Sequence, residues 1–345
     1  MPEQVETQSK ESTEKFFLNE KYWFTNLFGD LISYFLIFVV ILGSLHMYNS
    51  LDELMFEIKQ ANTTYKYPIY SDLLPSILYT VILIVGHEVF QRLFSDKMEQ
   101  HLHPRYFEDK NESYLIEIYR KKVATNIYKF AFYLCSTLFG FYVLKNLEFF
   151  PWSLLGQGEF KNLFKPYPEV FYFEKPENFD FYYNLNLSFA LFDGYLLLSN
   201  PLQSDFLLMI LHHLATYSLI TFSFVSNLSN IGSIVYYSHY LGDVFSYIVR
   251  VGIHLNVPDY FTFVTTFIFL IVFSYTRLFV FGDIIYQIYY GLNYKWTIIE
   301  RNLTGFLCVL MILNVLWIVL ITKKLLKYCF TGNIEEIYKF KIKKK

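Results

Sequence analysis

Three histidines and an aspartate stand where the surrounding sequence would otherwise be apolar. The stretch from Leu211 to Arg250, LHHLATYSLITFSFVSNLSNIGSIVYYSHYLGDVFSYIVR, reads as two hydrophobic helices, yet it carries His212, His213, His239 and Asp243. Imidazole changes charge close to neutral pH, and a carboxylate that orients it makes a usable general base. An ionisable group inside a bilayer costs about 2.5–3.5 kcal/mol, so several in two adjacent helices call for a compensating role. At about 1.5 Å per residue, His212 lies roughly 9 Å inside the cytosolic end of its helix and Asp243 roughly 10 Å inside the matching end of the next. His239 is one turn deeper than Asp243 on the same face, because residues i and i+4 project together, and Thr216 stands at its depth on the facing helix. The spacing therefore predicts convergence of these groups on a water-accessible cavity open to the cytosol, with Asp243 orienting an imidazole.

Two other roles for intramembrane histidines deserve comparison. A lone histidine in a span often bridges helices by a hydrogen bond, but an adjacent pair with a third histidine and an acid at matched depth is more than packing requires. Metal-dependent membrane hydroxylases need repeated HxxxH and HxxHH boxes. The remaining histidines, His46, His87, His101, His103 and His254, do not supply those spacings, so no metal is expected.

The elements that must position these groups follow from composition. Of 345 residues, 54% are hydrophobic and 21% aromatic, and the charged fraction of 17% is below the usual quarter of a soluble chain. This is the composition of an integral membrane protein. The formal net charge of -2 gives no reason to expect a nucleic-acid partner. Apolar runs close to the length of about 20 residues that a spanning helix needs occur at roughly 31–48, 73–93, 127–145, 183–200, 206–226, 231–250, 260–282 and 304–322, which gives eight expected spans. The short turns Pro201 to Asp205 and Asn227 to Asn230 make helical hairpins of the fourth to sixth. Lys10, Lys15, Lys21, the Lys97 to Lys122 loop, Arg250 and the Lys-rich tail gather on one side, which the positive-inside rule assigns to the cytosol along with both termini. The sequon Asn62-Thr63-Thr64 then falls in a lumenal loop, and the C-terminal KIKKK, with Lys341 and Lys343, resembles a dilysine retrieval signal of the endoplasmic reticulum. The polar first 20 residues lack a cleavable signal. Cys135, Cys308 and Cys329 are expected as small buried hydrophobes without disulfides.

The polar pattern of residues 211–250 resembles the Lag1 motif of ceramide synthases, within the TLC (TRAM, Lag1, CLN8) family. The HHxxT start matches His212, His213 and Thr216. Ser223, Asn227, Gly232, His239 and Asp243 follow at the motif's spacings, and Arg250 stands where the motif has Lys. Weaker resemblance reaches outward through NIYKFAFYLCSTLFGFYVL, YYNLNLSFALFDGYLLL and the FSYTRLFVF segment with Arg277, covering about residues 115–325. The resemblance implies an all-α polytopic membrane protein in which a TLC-type six-helix bundle (115–325) follows a cytosolic tail (1–30) and two N-terminal spans (31–114), with a basic cytosolic tail (326–345) behind it.

It further implies N-acylation of a sphingoid base by a fatty acyl-CoA in the endoplasmic reticulum membrane, with acyl-CoA as co-substrate and no cofactor. One of His212 and His213 would take the amine proton or carry the acyl group briefly as an acyl-imidazole. Asp243 would fix its tautomer, and His239 would assist proton transfer. Thr216, Ser223, Asn227, Tyr240, Arg250 and Arg277 are then candidates for substrate contact. Arg250 and the Arg120, Lys121, Lys122 cluster are candidates for the polyanionic CoA head. Partners beyond the two substrates and membrane lipids, such as a homodimer mate or a small regulatory subunit, leave no mark in the sequence. Three positions depart from the family pattern: Tyr240 replaces the first acid of HDxxD, Asn230 an arginine and Tyr247 a glutamate. Tyr240, three residues before Asp243, is placed to keep one hydrogen bond to it. The rival reading is a non-catalytic TLC protein, acting as a translocon-associated chaperone or a regulator of lipid composition. An ion path is a distant third, because the ionisable groups crowd toward one face.

Overall fold

The computed structural model describes residues 30–53, 56, 68–107, 113–163, 175–200, 205–291 and 298–331. The sequon at Asn62, the polar N-terminal tail, most of the Pro201 to Asp205 turn and the KIKKK tail lie outside them. Among the described residues every regular element is helical: α1 (Asp30–Glu53), α2 (Pro75–Glu99), α3 (Ser113–Leu144), α4 (Phe179–Ser199), α5 (Phe206–Val225), α6 (Ser229–His254), α7 (Asp259–Ser274), α8 (Phe281–Gly291) and α9 (Ile298–Thr331). A π-helical turn, Tyr275–Val280, joins α7 to α8 without a break.

All eight expected stretches are helical, and among the described residues six helices are both long and apolar enough to cross a bilayer: α1, α2, α3, α5, α9 and the continuous α7–α8 rod, Asp259–Tyr290. Helices α4 and α6, with 21 and 26 residues, are long enough but not apolar enough. The reason lies in their surroundings. Asn184, Asn186 and Ser188 of α4 and Asn230, Ser233, Ser238 and His239 of α6 are buried against other helices, so these two rods need not match hydrocarbon.

The outer helices are inverted relative to those of a soluble protein. Helix α2 buries Ser76, His87 and Ser95 and turns Ile77, Leu78, Val81, Ile82, Val85 and Val89 outward. In water this would be a large aggregation surface; in lipid it is the face that solvates best. The chain is a multi-pass membrane protein. The three unpaired cysteines, expected in the core, are on the exposed surface, because apolar runs here serve a lipid boundary as well as an interior.

Helix α6 occupies the centre, packed against α3, α5 and α7, while α4 joins α2 to α5. Polar contacts tie the outer helices to this core: Ser44 Oγ of α1 lies 2.7 Å from Ser218 Oγ of α5, and His87 Nε2 lies 2.9 Å from Thr125 Oγ1 of α3. At the end where α6 begins, residues 145–163 fold back over the bundle. Phe150, Leu154, Phe160 and Leu163 are buried there, Asn230 Nδ2 donates to the Leu163 carbonyl at 2.5 Å, and Tyr275 Oη donates to the Ser153 carbonyl at 2.9 Å.

Close approach of α4, α5 and α6 depends on Gly232. A Cβ there would lie 2.3 Å from Tyr183 Oη and 2.9 Å from Ser223 Oγ. Those two hydroxyls are themselves bonded at 2.7 Å on buried residues. Gly232→Val should therefore destabilise the fold by about 1–3 kcal/mol, the usual range for overpacking, seen as a lower melting temperature in detergent. An unchanged melt would contradict this packing.

Candidate active site

A cavity of about 100 Å³ lies among α4, α5, α6, the π turn and α9, several times what a single water needs. His212, His213, Thr216 and Ser223 reach it from α5, and His239, Tyr240 and Asp243 from α6. Arg277 reaches it from the π turn. The rest of the lining is mostly apolar, with Ile231, Leu303, Leu307 and Leu310 among the residues, and it includes the carboxylates Asp193 and Glu300.

The histidine on α6 is fixed most tightly. His239 Nδ1 lies 2.8 Å from the Val235 carbonyl oxygen, which can only accept, so Nδ1 carries the proton. Nε2 is then a bare acceptor, buried with no protein partner, on a residue that lines the cavity. His212 Nδ1 and Thr216 Oγ1 are likewise buried and unpartnered. Polar atoms in such a state are costly unless something else satisfies them, and three of them in one wall mark a place for water or substrate. His212 packs edge-on against Trp317 at 5.3 Å and against His213 at 5.7 Å. His213 stacks on Tyr217 at 5.8 Å.

Asp243 takes a different partner from the expected one. Its Oδ1 accepts from Arg277 Nη2 at 2.8 Å, and the same nitrogen lies 3.2 Å from the His239 carbonyl. The imidazole tautomer is thus set by the helix backbone, while the carboxylate balances a guanidinium only 3% exposed. Gly242 lets the π turn approach α6 closely: a Cβ there would lie 2.9 Å from Thr276 Oγ1.

Other expected contacts are redistributed. Ser223 lines the cavity but its hydroxyl is engaged with the Leu219 carbonyl and Tyr183. Asn227 is away from the cavity, at the α5–α6 turn with φ 59°, a left-handed conformation that asparagine tolerates. Arg250 is exposed, donates to Ser246 Oγ at 3.3 Å and covers the Tyr247 ring at 5.2 Å. Within the basic cluster on α3, Arg120 is paired with Asp96 at 2.9 Å and Glu99 at 3.2 Å, and Lys121 with Glu117 at 2.6 Å. Tyr240 donates to the Asn186 carbonyl at 3.3 Å, not to Asp243.

Sequence reasoning missed Asp193 of α4. It lines the cavity, its Oδ1 lies 2.5 Å from Lys129 Nζ of α3, and its Oδ2 accepts from Tyr133 Oη at 3.1 Å. The signal was present: Asp193 is a carboxylate and Lys129 an ammonium inside otherwise apolar runs, the same anomaly that pointed to Asp243.

The TLC-domain profile (TRAM, LAG1 and CLN8) matches residues 122–323. The chain belongs to the TLC-domain family. Its TLC domain contains every residue of the cavity described above. Human ceramide synthase 5 is 28% identical over 222 residues, which is 62% of this chain and 53% of the human protein. The match spans about half the length of that relative.

Proposed function

We propose that the chain is a sphingoid-base N-acyltransferase, transferring a fatty acyl group from acyl-CoA to the amine of a long-chain base in the endoplasmic reticulum membrane, with both termini cytosolic. The observation that carries this reading is the locked tautomer of His239, whose bare Nε2 shares a cavity with His212, His213, Asp193 and Asp243. The similarity to human ceramide synthase 5 agrees with it.

The base enters as an ammonium and must lose a proton before its nitrogen can attack. His239 Nε2 accepts that proton. The nitrogen then bonds to the thioester carbonyl carbon, the C–S bond breaks, and the nitrogen's second proton passes to the leaving thiolate, giving the amide and CoA. His212, next to the same wall, is the second imidazole in reach, either as a proton relay or as a transient acyl carrier. The Arg277–Asp243 pair lies beside His239 on the same cavity wall. The aliphatic walls take the acyl chain and exclude water that would hydrolyse the thioester. Arg250, outside the cavity and solvent-exposed, is placed for CoA phosphates.

The test uses membranes from cells whose own ceramide synthases have been deleted, expressing this chain. Given sphinganine and saturated acyl-CoAs of several lengths, wild type is expected to form N-acyl sphinganine, and His212→Ala at matched abundance to form about 100-fold less. No N-acylated base from well-expressed wild type would overturn the proposal in favour of a non-catalytic TLC protein.

A further inference from the structure

We propose that Asp193, backed by Lys129 and Tyr133, is the subsite that receives the ammonium group of the long-chain base. It takes the place of the acid that the family pattern carries at position 240. The inference rests on the acyltransferase reading and adds a residue that the motif does not contain.

The ring of Tyr133 connects the places involved. It packs edge-on against Tyr240 at 4.9 Å and stacks on Tyr247 at 5.2 Å, the two positions where this chain lacks family acids. Its hydroxyl donates to Asp193 Oδ2 at 3.1 Å. Lys129 sits over Tyr247 at 5.7 Å and reaches Asp193 Oδ1 at 2.5 Å. The negative charge missing from α6 thus reappears on α4, next to the same aromatic cluster and on the wall of the same cavity.

Between the two aspartates, chemistry favours Asp193 for the amine. Asp243 is bonded through Oδ1 to a guanidinium, a cation that keeps its proton in proteins and has none to pass on. Asp193 is ion-paired to Lys129 and accepts one hydrogen bond, at Oδ2 from Tyr133, while its buried Oδ1 has no hydrogen-bond partner and keeps acceptor sites for a ligand. Its partner Lys129 does not line the cavity, so the ammonium approaches from the open side. The like charge of Lys129 behind the carboxylate keeps the bound ammonium from being held too firmly, which eases transfer of its proton to an imidazole across the cavity.

The experiment measures affinity of the full chain in detergent for a photoreactive sphinganine with a free amine, and for its N-acetyl derivative, which has the same chain and no charge. N-acylation is assayed in parallel. Wild type is expected to prefer the free amine. Asp193→Asn should lose about 30-fold in affinity for the amine probe, the size of a charge-assisted contact, and leave the N-acetyl probe unchanged. Adding Tyr240→Asp to Asp193→Asn should restore the preference, whereas adding Lys129→Gln should not. Equal affinity of wild type and Asp193→Asn for the amine probe overturns the subsite. So does a parallel loss for both probes, or recovery by Lys129→Gln, because Asp193 would then be only a counter-ion in the fold. A wild type that acylates sphinganine without preferring the amine overturns the subsite alone; one that never acylates overturns the acyltransferase reading itself.

Discussion

His239→Asn is expected to form N-acyl product about 1000-fold more slowly than wild type, within the range for loss of a general base, while folding normally. The two halves of that expectation come from the two nitrogens of the imidazole. Asparagine places an amide nitrogen close to where Nδ1 stands, so the bond to the Val235 carbonyl, 2.8 Å in the native protein, can be kept. Nothing in asparagine reaches the position of Nε2, the atom left bare toward the cavity. Glutamine makes the opposite exchange: its longer side chain reaches toward Nε2 and gives up the local bond. Turnover measured at matched abundance, with melting curves for both variants, separates the roles. An Asn variant within tenfold of wild type would remove His239 from the proton path.

Arg277→Leu is the second substitution with a large expected effect, and it acts on folding before chemistry. Arg277 and Asp243 have side chains 4% and 22% exposed and meet at 2.8 Å. Removing one partner of a buried pair costs about 3–5 kcal/mol because the other charge is stranded, a sizeable share of the stability of a typical domain. Little folded Arg277→Leu should elute from size exclusion in detergent. Arg277→Leu combined with Asp243→Leu should recover most of the folded protein, since both charges are gone, yet remain inactive. If the double variant is as depleted as the single one, the pair is not what holds the π turn against α6.

These effects show which parts of the site were legible in the sequence. Apolar run lengths located the helices apart from α8, because hydrocarbon thickness sets a minimum length that leaves a mark in composition. Depth counting along α5 and α6 brought His212 level with Asp243 and Thr216 level with His239 one turn deeper, and the structure places all four on one cavity. What it could not supply was the identity of each partner. A carbonyl such as that of Val235 is present at every residue, so its claim on His239 has no sequence signature. Asp243 pairs with a residue 34 positions away, and the π turn that aims Arg277 arises from packing. Hydropathy falls short at α4 and α6 for a related reason: helices enclosed by other helices can carry asparagine and serine, so hydropathy alone does not tell a span from a core rod. The paired basic residues Arg120 and Lys121 read as free charges in one dimension.

The π turn has a geometric effect of its own. A π-helical turn fits in an additional residue compared with an α-helical one, and each residue advances a helix by about 100°. The rod from Asp259 to Tyr290 therefore changes rotational phase midway. Its first half keys into α6, while its second half meets the folded-back segment that includes Phe160–Asn162. A uniform cylinder of the same length would present a single stripe throughout and satisfy one of those neighbours at the expense of the other.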